Sequence, residues 1–211
     1  MDLEANTLGG EQERALMEML SGRNVFLTGK AGTGKSTVIK EFIRRSERPV
    51  TLLAPTGTAA LNIGGSTIHR MFKFPPADCI SENMARQAAE ANAKVLAAIQ
   101  TIVIDEISMV RSDLFTAIDV ALRHVMPPQY QGLPFGGKQL IVVGDFCQLP
   151  PVIGNPLVQE FSQFMCLGTF AFQSAAWLLA GFEHICLNQV YRQSDFRLLD
   201  IANAIRNGLA R

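Results

Sequence analysis

Short apolar runs alternate along the chain with longer stretches whose apolar residues fall three and four apart. Residues 24–28, 50–54, 101–105, 139–144 and 183–187 form the short runs and read as strands. The run at 101–105 is unbroken and apolar, as a strand buried on both faces requires. Helical spacing marks 8–20, with Ala15, Leu16, Met19 and Leu20 on one side, and then 38–45, 59–63, 82–100, 112–125 and 195–207. Strands alternating with helices predict an α/β fold with a wound parallel sheet flanked by helices. The proline pair after Phe74 predicts a loop, and a longer loop is expected from Pro127 to Gly137. No internal repeat or low-complexity linker interrupts this order.

Composition narrows the class. A chain of 211 residues with 48% hydrophobic and 18% charged residues carries enough apolar material for one large folded domain. Its formal net charge is zero, so no global basic field draws nucleic acid, and any such binding must rest on a local patch. Cys79, Cys147, Cys166 and Cys186 lie far apart and offer no zinc spacing, so reduced thiols in a cytosolic protein are expected. The start, Met1-Asp2-Leu3-Glu4, lacks the basic and apolar regions of a signal peptide, and no apolar run reaches membrane-spanning length. The chain stops at Gly208-Leu209-Ala210-Arg211 directly after a helical stretch, which suggests a cut inside a longer protein.

The candidate chemistry begins after the first strand. Gly29 to Ser36 reads G-x-x-x-x-G-K-S between a strand and a helix, the context a phosphate-binding loop needs. Glycines let backbone N–H groups close around phosphates, and the following helix points its positive end at them. Lys35 has the reach for the β- and γ-phosphates, and Ser36 the hydroxyl for Mg²⁺. Asp105-Glu106 ends the third strand: Asp105 is a candidate metal ligand, and Glu106 a candidate base for the attacking water. Gln148 follows the fourth strand and suits a water-positioning role beside the γ-phosphate. Arg192 follows the fifth strand, where it is a candidate for stabilising charge on the transferring phosphoryl group or a plain surface arginine.

Together these stretches resemble the petite-integration-frequency DNA helicases, superfamily-one motors that move 5′ to 3′ alongside RecD and Dda. Leu8, Glu11, Gln12 and Ala15 match the adenine-reading glutamine motif of that family, and Gly29 to Thr37 match its motif one. Ala54 to Ala60 and Gly65 to His69 match its first DNA-contacting motifs. Asp105 to Met109 match motif two, Gly144 to Val152 motif three, and Leu187 to Gln193 motif four. The approach to motif three through Phe135-Gly136-Gly137 favours this family over its RecD relatives.

The resemblance implies a P-loop NTPase of RecA-like fold with ATP and Mg²⁺ as cofactors. Gln12 would read adenine. Gly29, Ala31, Gly32, Thr33, Gly34, Lys35, Ser36 and Thr37 would hold the phosphates, and Ser36 and Asp105 the metal. Lys35, Glu106, Gln148 and Arg192 would carry catalysis, Arg192 as a finger in cis. Thr56, Thr67 and His69 are candidates for DNA phosphates and Phe72 for a base. His69 reads equally as a structural histidine, Phe72 as a core residue, and Arg70 with Lys73 as a solvated basic face.

The implied partners are single-stranded DNA, forked or structured DNA, and a downstream second RecA-like domain. The implied location is the bacterial cytoplasm at the nucleoid, or the nucleus or mitochondrion of a eukaryote, with no membrane association. Two departures stand out. Residues 73–83 match little where the family places its strand-splitting wedge, and motifs five and six do not occur in this chain. For Glu106 and Gln148 to face one γ-phosphate, the fourth strand must lie between the first and third, giving the strand order 5-1-4-3-2. The rival classes are another P-loop ATPase such as a RecD-like nuclease subunit, or a nonenzymatic nucleotide-dependent binding module. A GTPase would need an N-K-x-D base reader, which the chain lacks.

Overall fold

The computed structural model describes residues 8–77, 79–152 and 168–191. In chain order the elements begin with α1 (Gly10–Leu20), β1 (Val25–Gly29), α2 (Lys35–Arg45), β2 (Val50–Ala54), α3 (Gly57–Ile63), β3 (Ser66–Thr67) and α4 (Ile68–Phe72). There follow α5 (Glu82–Glu90), α6 (Ala93–Ala98), β4 (Thr101–Ile104), α7 (Ser112–Val125), α8 (Pro128–Gln131), β5 (Gln139–Val143), α9 (Ala175–Ala180) and β6 (Glu183–Leu187). Short 3₁₀ turns occupy Ile107–Met109, Pro134–Gly137 and Ala171–Gln173.

The strands form one parallel sheet in the order β3-β2-β4-β5-β1-β6. Read from the β6 edge, the five strands legible in the sequence stand in the anticipated order 5-1-4-3-2, and β3 adds a sixth at the far edge. Two residues are too few to show a period, so β3 left no sequence signal. The register sets Leu27 beside Val143 and Ile185, and Ile104 beside Leu53 and Val142. The carboxyl ends of β1, β2, β4 and β5 thereby meet along one rim, and the chain leaves each there for a loop that holds candidate site residues. In an open parallel sheet this rim is where ligands bind.

Strand alternation divides the core into two layers. Val103, Ile141 and Val143 pack with Leu16, Met19, Val38 and Phe42 of α1 and α2. Ile102, Ile104, Leu140 and Val142 pack with Phe115, Ile118 and Leu122 of α7. All five residues of β5 are buried. Among the described residues no helix is long and apolar enough to cross a membrane.

Two stretches depart from the sequence reading. The helix expected over 82–100 is broken between α5 and α6, where the Asn92 side chain donates to the Met71 carbonyl at 2.7 Å. Lys138 then ends α6 by donating Nζ to the carbonyls of Ala97 and Ile99 at 3.0 and 2.7 Å. The loop from Pro127 to Gly137 instead holds α8 and a 3₁₀ turn. The helix expected at 195–207 lies outside the described residues.

That 3₁₀ turn is held by a buried carboxylate. Phe135 adopts φ 52°, rare for a residue with a side chain. Its ring is fully buried 5.4 Å from that of Phe115, and its N–H donates to Asp119 at 2.6 Å. Asp119 also accepts from Arg123 at 2.9 Å and is itself 7% exposed. Asp119→Ala leaves the Phe135 N–H buried without an acceptor, so a loss of roughly 1–3 kcal/mol is expected, read by urea unfolding. An unchanged midpoint would show that the turn is held by apolar packing alone.

Candidate nucleotide and nucleic-acid site

The glycine loop is built by contacts that a side chain would obstruct. Gly29, Gly32 and Gly34 have φ of 150°, 81° and 83°. A Cβ at Gly29 would stand 2.5 Å from the Leu187 carbonyl, and one at Gly34 would overlap the Gln12 amide. With Gly34 as its N-cap, α2 begins at Lys35 without a side-chain cap. Its first N–H groups therefore face the loop as donors for phosphate oxygens. Lys35 donates Nζ to the carbonyls of Gly29 and Lys30 at 2.7 and 3.2 Å, which places its ammonium inside the loop. Thr33 Oγ1 closes the turn on the Lys30 carbonyl at 2.9 Å, and the Thr37 N–H donates to the Gly34 carbonyl at 2.9 Å. Ala31 and Ser36 are exposed on the loop surface.

Gln12 sits against this loop from α1. It is 5% exposed, donates Nε2 to the Thr33 carbonyl at 3.0 Å and accepts the Gly9 N–H at 3.0 Å. The loop after β6 joins the same cluster. The Tyr191 N–H donates to the Gly32 carbonyl at 2.9 Å, and Asn188 donates its backbone N–H and its side chain to Glu11 at 2.7 and 3.1 Å. Those bonds hold the Glu11 carboxyl below its ordinary 4.5. The Tyr191 hydroxyl lies so close to Gly9 that a Cβ there would overlap it. Glu11 and Tyr191 were not singled out as site residues from the sequence. A glycine opposite an exposed tyrosine more than a hundred positions away leaves no pattern along the chain. Arg192 lies outside the described residues.

Across the rim, Asp105 and Glu106 follow β4. Asp105 accepts the Glu106 N–H at 2.9 Å, and Glu106 takes a left-handed backbone, φ 53° and ψ 45°. Ser36, Asp105 and Glu106 together line a cavity of about 350 Å³ whose other walls are Lys40, Asn62 and apolar residues of the strands and of α2 and α3. A hydroxyl and carboxylates are hard oxygen donors. They suit Mg²⁺, which keeps several waters and takes its remaining ligands from phosphates.

Burial raises the Asp105 carboxyl above its ordinary 3.8, against the pull of the Glu106 N–H and the Lys35 charge. Burial and then the Asp105 charge raise Glu106 above 4.5, again opposed by Lys35. Both groups thus bind protons more tightly folded than unfolded. They stabilise the fold below their unfolded values, and that contribution is lost as pH rises through the folded ones. Asp105→Asn is therefore expected to raise the thermal midpoint near pH 7 and to leave it unchanged at about pH 3 in Mg-free buffer, read by calorimetry. An equal rise at both values would mean that charge is not the cause.

Gln148 lies in a turn after β5, between the loops of β1 and β4. Its N–H donates to the Asp145 carbonyl at 2.9 Å and its side chain to the Asp145 carboxylate at 3.3 Å. Asp145, 3% exposed, also accepts the Cys147 N–H at 3.1 Å.

The candidate DNA residues occupy the other end of the rim. Thr56 caps α3 by accepting the Ala59 N–H at 3.2 Å, and Thr67 caps α4 by accepting the Arg70 N–H at 3.2 Å. Both hydroxyl hydrogens remain available to an acceptor. His69 is half-buried, and burial followed by the Arg111 charge lowers its pKa, with Asp113 opposing. Phe72 does not keep the base-stacking assignment. It is fully buried and stacked on Phe74 with centroids 5.2 Å apart, so no ring face is open to a base. Within the stretch 73–83, the Ile80 N–H donates to Asp113 of α7 at 2.8 Å, and Phe74 and Ile80 are buried.

A glycine loop on β1, an acidic pair after β4 and a glutamine turn on the intervening β5 define a P-loop NTPase domain of the RecA-like class. The family model described as "PIF1-like helicase" matches residues 7–204, and the chain belongs to that family. It is 36% identical to the ATP-dependent DNA helicase RRM3 of Saccharomyces cerevisiae, covering 94% of this chain and 27% of that protein. It is also 36% identical to the human ATP-dependent DNA helicase PIF1, covering 95% of this chain and 30% of that protein. The structure of Bacteroides Pif1 helicase in complex with ADP-AlF3 and single-stranded DNA superposes with a TM-score of 0.83 at 33% identity, covering 97% of this chain and 47% of that one. The chain thus spans less than half the length of each of these relatives.

Proposed function

We propose that this chain is the first RecA-like domain of an ATP-driven 5′-to-3′ DNA helicase, which couples ATP hydrolysis to movement along single-stranded DNA and to opening of forked duplex. The observation that carries the reading is the convergence of Lys35, Ser36, Asp105, Glu106 and Gln148 at the carboxyl ends of three adjacent strands, β1, β5 and β4. Helicases among its relatives, and a relative's structure with a nucleotide analogue and single-stranded DNA, support it.

In this reading Gln12 reads the adenine edge with the amide capacity left over from Gly9 and Thr33. Gly29, Ala31, Gly32, Thr33, Gly34 and Thr37 surround the phosphates. Ser36 and Asp105 would hold Mg²⁺, which would supply charge to neutralise the phosphates. Lys35 bridges the β- and γ-phosphates. Glu106 takes the proton of the attacking water, Gln148 orients that water, and Arg192 stabilises the charge that develops on the phosphoryl group. Thr56, Thr67 and His69 hold the DNA backbone, and the stretch 73–83 stands as the wedge candidate. An arginine finger is worth roughly 10³–10⁵ in rate. A downstream second domain would contribute a further arginine and half of the DNA track.

ATPase assays with and without single-stranded DNA, on the 211-residue chain and on a polypeptide that adds the second domain, test the proposal. The chain alone is expected to bind Mg-nucleotide weakly, with little DNA-stimulated turnover, no unwinding, and DNA affinity that falls as salt rises. The longer polypeptide is expected to gain turnover and unwinding together. Robust unwinding by the chain alone would refute the two-domain account, and nucleotide binding without turnover in either form would make the domain a docking switch.

A further inference from the structure

Ser108 is 1% exposed, and among the described residues its Oγ is the buried side-chain polar atom that has no hydrogen-bond partner. Such an atom forfeits the hydrogen bonds it makes in water, a disadvantage of about 5- to 140-fold in an equilibrium constant. A buried orphan of this kind calls for a reason, and its position suggests one. Ser108 lies in the 3₁₀ turn Ile107–Met109, for which Glu106 is the N-cap with its left-handed backbone. Strained backbone at a reacting residue is a recurrent feature of catalytic sites.

The other side of the same turn touches the glutamine loop. A Cβ at Gly144 would stand 3.0 Å from the Ile107 nitrogen and 3.6 Å from the Ser108 nitrogen. From Gly144 the chain runs directly to Asp145 and Gln148. Gln148 is exposed and its side chain is held at 3.3 Å, the long end of the hydrogen-bond range. The base and the water-orienting glutamine therefore sit on two segments in backbone contact. Ser108, whose backbone nitrogen lies at this contact, carries a spare, buried donor.

We propose that Ser108 is a positioning residue for hydrolysis. When the site closes on a γ-phosphoryl group, its hydroxyl donates to the Gly144–Gln148 loop and fixes Gln148 in register with Glu106. This role rests on the hydrolase reading above. It predicts that the hydroxyl contributes to the closed arrangement and not to the stability of the nucleotide-free fold.

The test is binding rather than turnover. In the polypeptide that adds the second domain, Ser108→Ala and the unaltered chain are compared by thermal melting without nucleotide and by calorimetric titration with Mg·ADP, alone and with aluminium fluoride in the γ-phosphoryl position. The variant is expected to melt at the same temperature or higher, because it sheds an unpaired hydroxyl. It should bind Mg·ADP as the unaltered chain does and lose about fivefold or more of the extra affinity that aluminium fluoride confers. In a Gln148→Ala background the same substitution should have no further effect, since the two act as one unit. An undiminished fluoride gain in Ser108→Ala overturns the proposal. So does a lower melting temperature with equal losses for both ligands, which is the behaviour of a packing residue. An unaltered chain with no fluoride gain also overturns it, whereas one that binds neither ligand brings down the hydrolase reading and Ser108's role with it.

Discussion

Lys35→Ala is expected to abolish ATP hydrolysis and to weaken Mg-nucleotide binding about 10- to 150-fold, the scale of a lost hydrogen bond to a charged group. The ammonium is held inside the glycine loop by the carbonyls of Gly29 and Lys30. It is thus already positioned where phosphate oxygens would replace those carbonyls as acceptors. The same charge opposes the upward shifts of Asp105 and Glu106, so its removal also leaves the acidic pair more protonated. Binding would lose an electrostatic partner, and hydrolysis would lose its partner and part of its ionised base together. Titration calorimetry and phosphate release measure the two effects separately. A variant that binds nucleotide normally but does not turn over would place Lys35 in the transition state alone.

Glu106→Gln is expected to behave differently. Turnover should fall by roughly 10²–10⁴, the range for a lost general base, while nucleotide binding is retained. The amide keeps the shape of the side chain and removes one of two crowded carboxyls. Affinity for the anionic nucleotide should not fall, because Asp105 and Ser36 still line the cavity. Single-turnover phosphate release set beside binding isotherms decides the matter. Equal losses of binding and turnover would make Glu106 a structural residue whose left-handed backbone shapes the loop.

The sheet was legible because its central strands are buried on both faces, so β4 and β5 are nearly pure apolar runs that need no helical partner to be recognised. The candidate catalytic loops were legible because each follows such a run within a few residues. What escaped was set by contacts distant in sequence. The break between α5 and α6 depends on Asn92 reaching Met71, and the turn at Phe135 depends on Asp119. The alanine-rich composition of 82–100 satisfies one long helix or two short ones equally well. Phe72 read both ways because an aromatic among basic residues suits a base or a core, and only its burial against Phe74 decides. The Glu11–Asn188 bonds span nearly the whole chain and left no local trace.

The strand order also constrains when this domain can fold during synthesis. β1 has no neighbour close in sequence: its partners are β5, where Val25 meets Ile141, and β6, where Val25 meets Glu183. A ribosome adding about 5–20 residues per second takes roughly 6–23 s to carry the chain from β1 to β5. Over that interval Val25 and Leu27, both fully buried in the finished sheet, have no strand to lie against. The nascent amino-terminal third is therefore the stretch that a chaperone would shield. A polypeptide released before β5 emerges would carry the glycine loop without the sheet that gives it its shape.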